Sequence, residues 1–381
     1  MKTAILKAER EVNKKEIQRA DLRLIINIFA LLTVGTIIVF SASYPNALSH
    51  YGDGYYYIKR QGIFLALGVF IMLFMSRISS KFYKKITPIF YFICIGLLFL
   101  VLAGGFSEGV AKRWLGIPGT PLSFQPSELM KLGVILMISW WIEKNSTKEK
   151  NFKREILIPG AILFGACALV LLEKHLSGTI ILALIGLFLL FIAGTSVKKM
   201  LLTYGTVGVA GAIVFLFTNE YAMKRIESFL NPQADVLSDK WQTTQGLYAI
   251  GSGGLWGKGI GNSVQKYSYV SEPQNDFIFT IWCEEMGYIG AIVLIFMFLS
   301  LVLNGFRIAY NASDLFSSLV AFGISCQIGL QTLLNIAVVT DLIPNTGISL
   351  PFFSYGGSSL VILLAEMGIL LSISRKARLR G

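Results

Sequence analysis

Three of the carboxylates in the stretch SEPQNDFIFTIWCEEMGYIG, residues 271–290, fall at or within the start of a long apolar run. Asp276 stands just before the run, and Glu284 and Glu285 lie inside it. A charged side chain at mid-bilayer costs roughly 2.5–3.5 kcal/mol on insertion scales, so acids kept there face a cavity or a partner rather than lipid. At helical spacing Asp276, Thr280, Glu284 and Gly287 make one polar or small stripe, flanked by Phe277, Ile278, Phe279, Ile281 and Trp282. Two roles stand open for Asp276. It caps the helix, as Asp commonly does, or it is a carboxylate base at the membrane surface whose pKa is raised by partial burial.

Three other stretches carry groups that could meet an anionic ligand. In AKRWLGIPGTPLSFQPSELMKLG, residues 111–133, Glu128 and Lys131 lie three apart and share one face of a helix that Pro126 suits in its first turn. They form either a structural bridge or part of an anion site. Arg113 and Trp114 are interfacial anchors, or Arg113 offers a bidentate fork to a diphosphate with Lys131 as a point charge. The glycine-rich QGLYAIGSGGLWGKGIGNSVQKYSYV, residues 245–270, lacks the strand and helix that a nucleotide fingerprint needs. It is a re-entrant turn packed on the spans, or a phosphate cradle using Lys258 and Lys266. In PNTGISLPFFSYGGSSL, residues 344–360, Gly356, Gly357, Ser358 and Ser359 form a small-residue patch suited to tight helix packing. Ser358 and Ser359 are also candidate ligand contacts. Glu366 continues the Ser359 face, and Gln331 and Asn335 add polar groups one turn apart.

The elements that must position these groups are membrane helices. Of 381 residues 54% are hydrophobic, and the mean hydropathy is +0.64. Soluble domains are nearer 45–50% apolar. Apolar runs predict an all-α polytopic membrane protein with ten spans, near 22–43, 61–78, 86–104, 127–142, 156–172, 178–195, 200–217, 277–305, 316–339 and 353–374. A basic tail, 1–21, precedes this ten-helix domain of residues 22–374, and a second, 375–381, follows it. The charged first twenty or so residues predict no cleaved leader. Cys94, Cys167, Cys283 and Cys326 are scattered through apolar runs, and His50 and His175 are the only histidines, so neither a zinc site nor a disulfide framework is indicated.

The net charge of +12 does not indicate nucleic acid, because the basic residues cluster in alternate connections. With both termini cytoplasmic, 23 of the 34 Lys and Arg lie inside, 10 outside, and Lys131 within a span. The outer face then carries the long connections 44–60, 105–126, 218–276 and 340–352. The largest, 218–276, separates the seventh and eighth spans and holds AMKRIESFLNP, an amphipathic interfacial helix ending before Pro232. These features together predict an outward-facing polar cavity built from the fourth, eighth, ninth and tenth spans, reached by an anionic amphiphile from the outer leaflet.

RWLGI…FQPSELMK, QGLYAIGSGGLWGKGIGNS, EPQNDFIFTIWCEEMGYIGA and PNTGISLPFFSYGGSSL, in this order, resemble the SEDS family of bacterial cell-wall polymerases (FtsW, RodA and SpoVE), and the stretch GNSVQKYSYVSEPQND is nearer its division and sporulation branch. The resemblance implies a peptidoglycan glycosyltransferase in the bacterial cytoplasmic membrane. It would join lipid II into glycan strands at the outer face, with a class B penicillin-binding protein and with divisome or sporulation proteins as partners. It implies that Asp276 is the essential aspartate of an E-x-x-x-D-F segment whose Glu is Glu272, and that Arg113, Trp114, Glu128 and Lys131 are cavity residues. Inversion at the anomeric carbon would follow, with the leaving diphosphate met by Arg113, Lys131 or a divalent cation (Mg or Mn). The sequence departs from the family at EKHLSGT, residues 173–179, where an aspartate is absent, and at Ser271, where Pro is usual. A lipid II flippase using the same cavity, and a scaffold recruiting division proteins, are the rival readings.

The charge distribution generates the first prediction. Reporter fusions within 218–276 should read as extracytoplasmic, and fusions after 144–153 as cytoplasmic; the reverse pattern would overturn the orientation.

Overall fold

The computed structural model describes residues 20–107, 112–116, 123–149, 151–218, 220–230, 239–267 and 269–377. Thirteen α-helices are described. They are α1 (Leu22–Tyr51), α2 (Tyr56–Met75), α3 (Ser80–Gly104), α4 (Pro126–Asn145), α5 (Ile158–Leu172), α6 (Leu176–Ile192), α7 (Val197–Met200), α8 (Thr206–Thr218), α9 (Glu220–Leu230), α10 (Asp239–Ser252), α11 (Ile278–Tyr310), α12 (Leu315–Val339) and α13 (Gly357–Ser374). π-helical turns at Lys153–Leu157 and Leu201–Gly205 run into α5 and α8. Seven of the described helices are long and apolar enough to cross a membrane by length and composition. Each of the ten expected spans falls on a helical stretch, with α4 more polar and α6 shorter than those seven. The amphipathic helix expected in the long connection is α9, which ends at Leu230. The basic tails lie outside the described residues except for Ala20, Asp21 and residues 375–377.

The all-α polytopic class holds, and the structure adds one small element to it. A small antiparallel sheet precedes α4, in the order β1 (Phe106–Ser107), β2 (Lys112–Gly116), β3 (Ser123–Phe124). Its signal is weak in sequence because the strands are two to five residues long. Arg113 and Trp114 sit on the central strand β2, so they are carried by a sheet and not by a helix end.

The core is formed where α4, α12 and α13 lie among the other helices. On α4 the run Met130–Ile138 is buried throughout, and on α12 Phe316, Val320, Ala321, Ile324 and Ile328 are at most 1% exposed. By contrast α2 and α3 leave Phe70, Phe74, Phe92 and Phe99 exposed, as lipid-facing helices must.

One correction concerns α11. The expected stripe from Asp276 to Gly287 is not continuous, because the helix begins at Ile278 and is broken at Gly287, whose φ is +68°. Leu255 and Gly257 lie against that break. The 254–259 loop pairs with the freed backbone: Tyr288 and Ile289 donate to the carbonyls of Gly254 and Leu255, and Lys258 and Gly259 donate to those of Glu284 and Glu285. A Cβ at Gly257 would lie 2.2 Å from the Glu285 carbonyl oxygen. The loop is therefore a re-entrant turn on the spans, and its backbone is satisfied as burial in apolar surroundings requires.

The same loop answers Glu284 and Glu285. Lys258 Nζ reaches Glu284 Oε1 at 2.6 Å, and Ser263 Oγ and the backbone N–H groups of Val264 and Gln265 also donate to that carboxylate. Lys266 Nζ reaches Glu285 Oε1 at 2.9 Å, with Ser41 Oγ donating to the same oxygen at 2.6 Å. Lys266 and Glu285 are almost wholly buried. Breaking such a pair by removing one partner costs roughly 3–5 kcal/mol, whereas replacing both by apolar groups is often neutral. Lys266→Met should therefore destabilise the protein by that amount, and Lys266→Met with Glu285→Leu should recover most of it, measured by equilibrium unfolding in bicelles.

Candidate active site

Asp276 is held from behind by its backbone. The Asn335 side-chain amide on α12 donates to the carbonyls of both Asp276, at 2.8 Å, and Ile348, at 2.5 Å. Ser354 Oγ donates to Asn275 O at 2.7 Å, and Tyr355 N–H to Gln274 O at 2.8 Å. The segment 272–276 is thus laced onto the 345–355 loop that leads into α13. Gly347, with φ +67°, packs so closely that a Cβ there would lie 3.1 Å from Asp276 Oδ2. Asp276 makes no cap: Phe277 occupies the cap position of α11 and no side chain bonds the first turn. The capping role is thereby replaced by a carboxylate presented to a cavity.

That cavity has a volume of about 520 Å³ and is lined by Asp276, Glu272, Arg113, Trp114, Glu128, Lys131 and Ser359. Seven residues singled out from three separated stretches of sequence thus meet in one space. Lys131 is 3% exposed and bridges Glu128 Oε2 at 2.9 Å, while its Nζ also donates to Gln331 Oε1 at 3.1 Å. The pair is therefore both structural bridge and cavity wall. Arg113 Nη2 donates to the carbonyl of Lys174 at 2.5 Å, which fixes its guanidinium at the rim.

Three candidates lie elsewhere. Lys258 and Lys266 do not reach the cavity, because Glu284 and Glu285 hold them in the re-entrant turn; the phosphate-cradle alternative is corrected accordingly. Ser358 faces away from the cavity, while its neighbour Ser359 lines it, since adjacent helical residues point about 100° apart.

The structure adds residues that the motifs did not. Arg60, at the cavity end of α2, contributes a third cation, its guanidinium 4.1 Å from the centroid of the Tyr56 ring. Tyr51, Tyr56, Tyr57 and Tyr355 form an aromatic wall, with Tyr51 and Tyr56 stacked at 3.7 Å and Tyr57 edge-on to Tyr355 at 4.9 Å. Their signal was the aromatic run YGDGYYYIK at 51–59. His175 lines the cavity from the turn between α5 and α6, with Ser127 Oγ 3.1 Å from its Nδ1. Burial, reinforced by Arg113 and Lys131, lowers its pKa to about 3, so the imidazole is neutral at physiological pH. Burial pushes nearby Glu173 up to about 8, against the opposing pull of Arg113. The EKHLSGT segment therefore offers the cavity a neutral ring and a carbonyl for Arg113, and no carboxylate.

Burial likewise raises the Asp276 carboxyl from 3.8 to about 6; Glu272 adds to the rise, and Arg225 and Arg113 oppose it. The group is half ionised near pH 6 and a competent proton acceptor above it. A general base works best with a pKa near the operating pH.

Fold and cavity define a class: a polytopic membrane protein with a carboxylate-and-arginine cavity at one end of its helices. A family model described as a cell cycle protein, FtsW/RodA/SpoVE, matches residues 22–379, and the chain belongs to that family. Stage V sporulation protein E of Bacillus subtilis is 38% identical over 94% of this chain and 98% of its own length. A probable peptidoglycan glycosyltransferase FtsW of Geobacter sulfurreducens is 38% identical over 97% and 98% respectively. Among solved structures, a chain of a peptidoglycan synthase complex, described for its coordination of polymerization and crosslinking, superposes with a TM-score of 0.76 at 25% identity, covering 93% of this chain and 98% of that one. The rod shape determining protein RodA of Thermus thermophilus superposes at 0.70 with 24% identity, covering 95% and 98%, and shares the fold.

The raised pKa has a consequence for stability. Below 3.8 Asp276 is protonated whether folded or unfolded; between 3.8 and about 6 the folded state binds the proton more tightly. That contribution to stability is lost as pH rises through about 6. Asp276→Asn should therefore be more stable than the parent at pH 7.5 and equal to it near pH 4, read from thermal unfolding in detergent.

Proposed function

We propose that the chain is an inverting peptidoglycan glycosyltransferase of the bacterial cytoplasmic membrane, polymerising lipid II at the extracytoplasmic end of its helices. The observation that carries this is Asp276, a carboxylate with a pKa of about 6 on the wall of a cavity shared with Arg60, Arg113 and Lys131. The relatives named as probable peptidoglycan glycosyltransferases support the substrate class. The likeness to a peptidoglycan synthase complex chain supports assembly with a class B penicillin-binding protein. Relatedness to both FtsW and the sporulation protein supports work at a division or sporulation septum.

The chemistry balances within the cavity. Asp276 takes the proton from the 4-hydroxyl of the acceptor N-acetylglucosamine as that oxygen forms a bond to the donor's anomeric carbon. The bond from that carbon to the diphosphate oxygen breaks on the opposite face, and its electron pair leaves with the undecaprenyl diphosphate. Inversion converts an α-linked donor into a β-1,4 product. Arg113 and Arg60 are placed to meet the charge that develops on the leaving diphosphate, and fixed cations of this kind act most strongly where water is excluded. Lys131, already paired with Glu128, sets the local field more than it binds. A divalent cation would find Asp276 and Glu272 as its carboxylates, and would add positive charge at the diphosphate. The tyrosine wall offers ring faces to saccharide or to the lipid-linked end.

The test is polymer yield per folded protein, with the partner present and labelled lipid II as substrate. Asp276→Asn should lower yield by roughly 10²–10⁴-fold, the range of general acid–base loss, while membrane insertion persists. Asp276→Glu should lose roughly 10²-fold, since misplacement of about 1 Å costs that much. The parent's rate should fall as pH drops below about 6. Near-normal glycan ladders from the Asn variant would overturn the role of Asp276.

A further inference from the structure

Beside the Asp276 cavity lies a second one, of about 230 Å³, between α9, α10 and the start of the 341–347 loop. The segment from Ser271 to Asp276 is the wall between them: Ser271 lines the second cavity, while Glu272, Gln274, Asn275 and Asp276 line the first. That wall is tied to α10, where Gln242 Nε2 donates to Ser271 O at 2.8 Å. On the far side Arg225 Nη1 donates to Asn345 O at 2.6 Å, two residues before the Gly347 that packs on Asp276. Arg225 also bears electrostatically on Asp276. The two cavities thus share the strand of chain that carries the base.

We propose that this second cavity is a saccharide subsite, holding one N-acetylhexosamine of the glycan strand next to the reacting pair. It rests on the polymerase reading above, and it gives that reading a place for the product to be retained. Three features choose a sugar over a phosphate or an acyl chain. First, its charged groups are already engaged: Lys240 Nζ lies 3.5 Å from Asp341 Oδ2, and Arg225, which also lines the cavity, donates to Asn345 O. A diphosphate is better met by Arg60 and Arg113 in the other cavity. Second, Trp241 is pinned edgewise by a hydrogen bond from its Nε1 to Tyr269 O at 3.0 Å, yet is 37% exposed and lines the cavity. A fixed indole face suits the C–H face of a pyranose, and the rigid ring is ordered at low entropic cost on binding. Third, Ser228, Gln242, Thr243 and Asn345 add neutral hydrogen-bonding groups to the lining, as hydroxyl and acetamido groups require. The volume falls below the roughly 300–1,000 Å³ of sites for drug-sized ligands, which fits a single ring.

The experiment uses the full chain with its penicillin-binding protein in nanodiscs and has two readouts. One is glycan strand length at equal lipid II consumption. The other is binding of a lipid-free tetrasaccharide of alternating N-acetylglucosamine and N-acetylmuramic acid, by saturation-transfer NMR. Trp241→Ala should shorten the strands several-fold and abolish the tetrasaccharide signal, and Trp241→Phe should restore both. Asp341→Asn, which leaves the indole in place, should shorten strands to a lesser degree. Asp276→Asn should make no polymer yet bind the tetrasaccharide normally. Unchanged strand length in Trp241→Ala, or a tetrasaccharide signal that survives in it, overturns the subsite. A parent chain that makes no polymer overturns the polymerase reading instead, and the binding readout then decides the subsite by itself.

Discussion

One side-chain amide ties the site together. Asn335, wholly buried on α12, donates one hydrogen to the carbonyl before Phe277 and the other to the carbonyl of Ile348. Each acceptor belongs to an irregular segment that no helix satisfies, and an unpaired buried carbonyl costs about 1–3 kcal/mol. By meeting two at once, Asn335 joins the 272–276 and 345–355 segments to a rigid helix. The carboxyl of Asp276 is left to face the cavity because its backbone is secured behind it. Asn335 Oδ1 itself has no hydrogen-bond partner among the described residues, a cost the site carries for this arrangement.

The deeper acids serve the same end by other means. A helix broken at Gly287 exposes backbone groups at a depth where water is scarce. The 254–266 segment supplies partners for that backbone, and its Lys258 and Lys266 neutralise Glu284 and Glu285. The two ion pairs therefore belong to the architecture that presents Asp276. Charges that look catalytic in a membrane sequence divide here into those that hold a loop and those that face a ligand.

The cavity itself works by an asymmetry of charge. Lys131 and Glu128 cancel, which leaves Arg60 and Arg113 near Asp276 and Glu272. Burial and Glu272 raise the aspartate's proton affinity while Arg225 and Arg113 limit the rise, which leaves the carboxyl poised at about 6. Burial, with Arg113 and Lys131, holds His175 at a pKa of about 3, too low for its imidazole to take a proton from a hydroxyl.

The sequence by itself determined the membrane class, the helical stretches and most of the charged residues around the cavity. Those properties are written in local pattern: apolar runs set spans, and motifs mark Asp276, Arg113 and Lys131. The tertiary structure alone decided which charges pair. Lys258 and Lys266 read as phosphate ligands in sequence because a flexible glycine loop and a cation are the local ingredients of a cradle. Their partners on α11 lie 19 and 26 residues away, and only folding brings them together. Arg60 and the tyrosine wall went unread for the mirror reason, since a cation and aromatics at a span's end look like interfacial anchors until α2 and α13 place them opposite Asp276. The small sheet carrying Arg113 was equally silent, because strands of two to five residues take their stability from one another and leave no periodicity to detect.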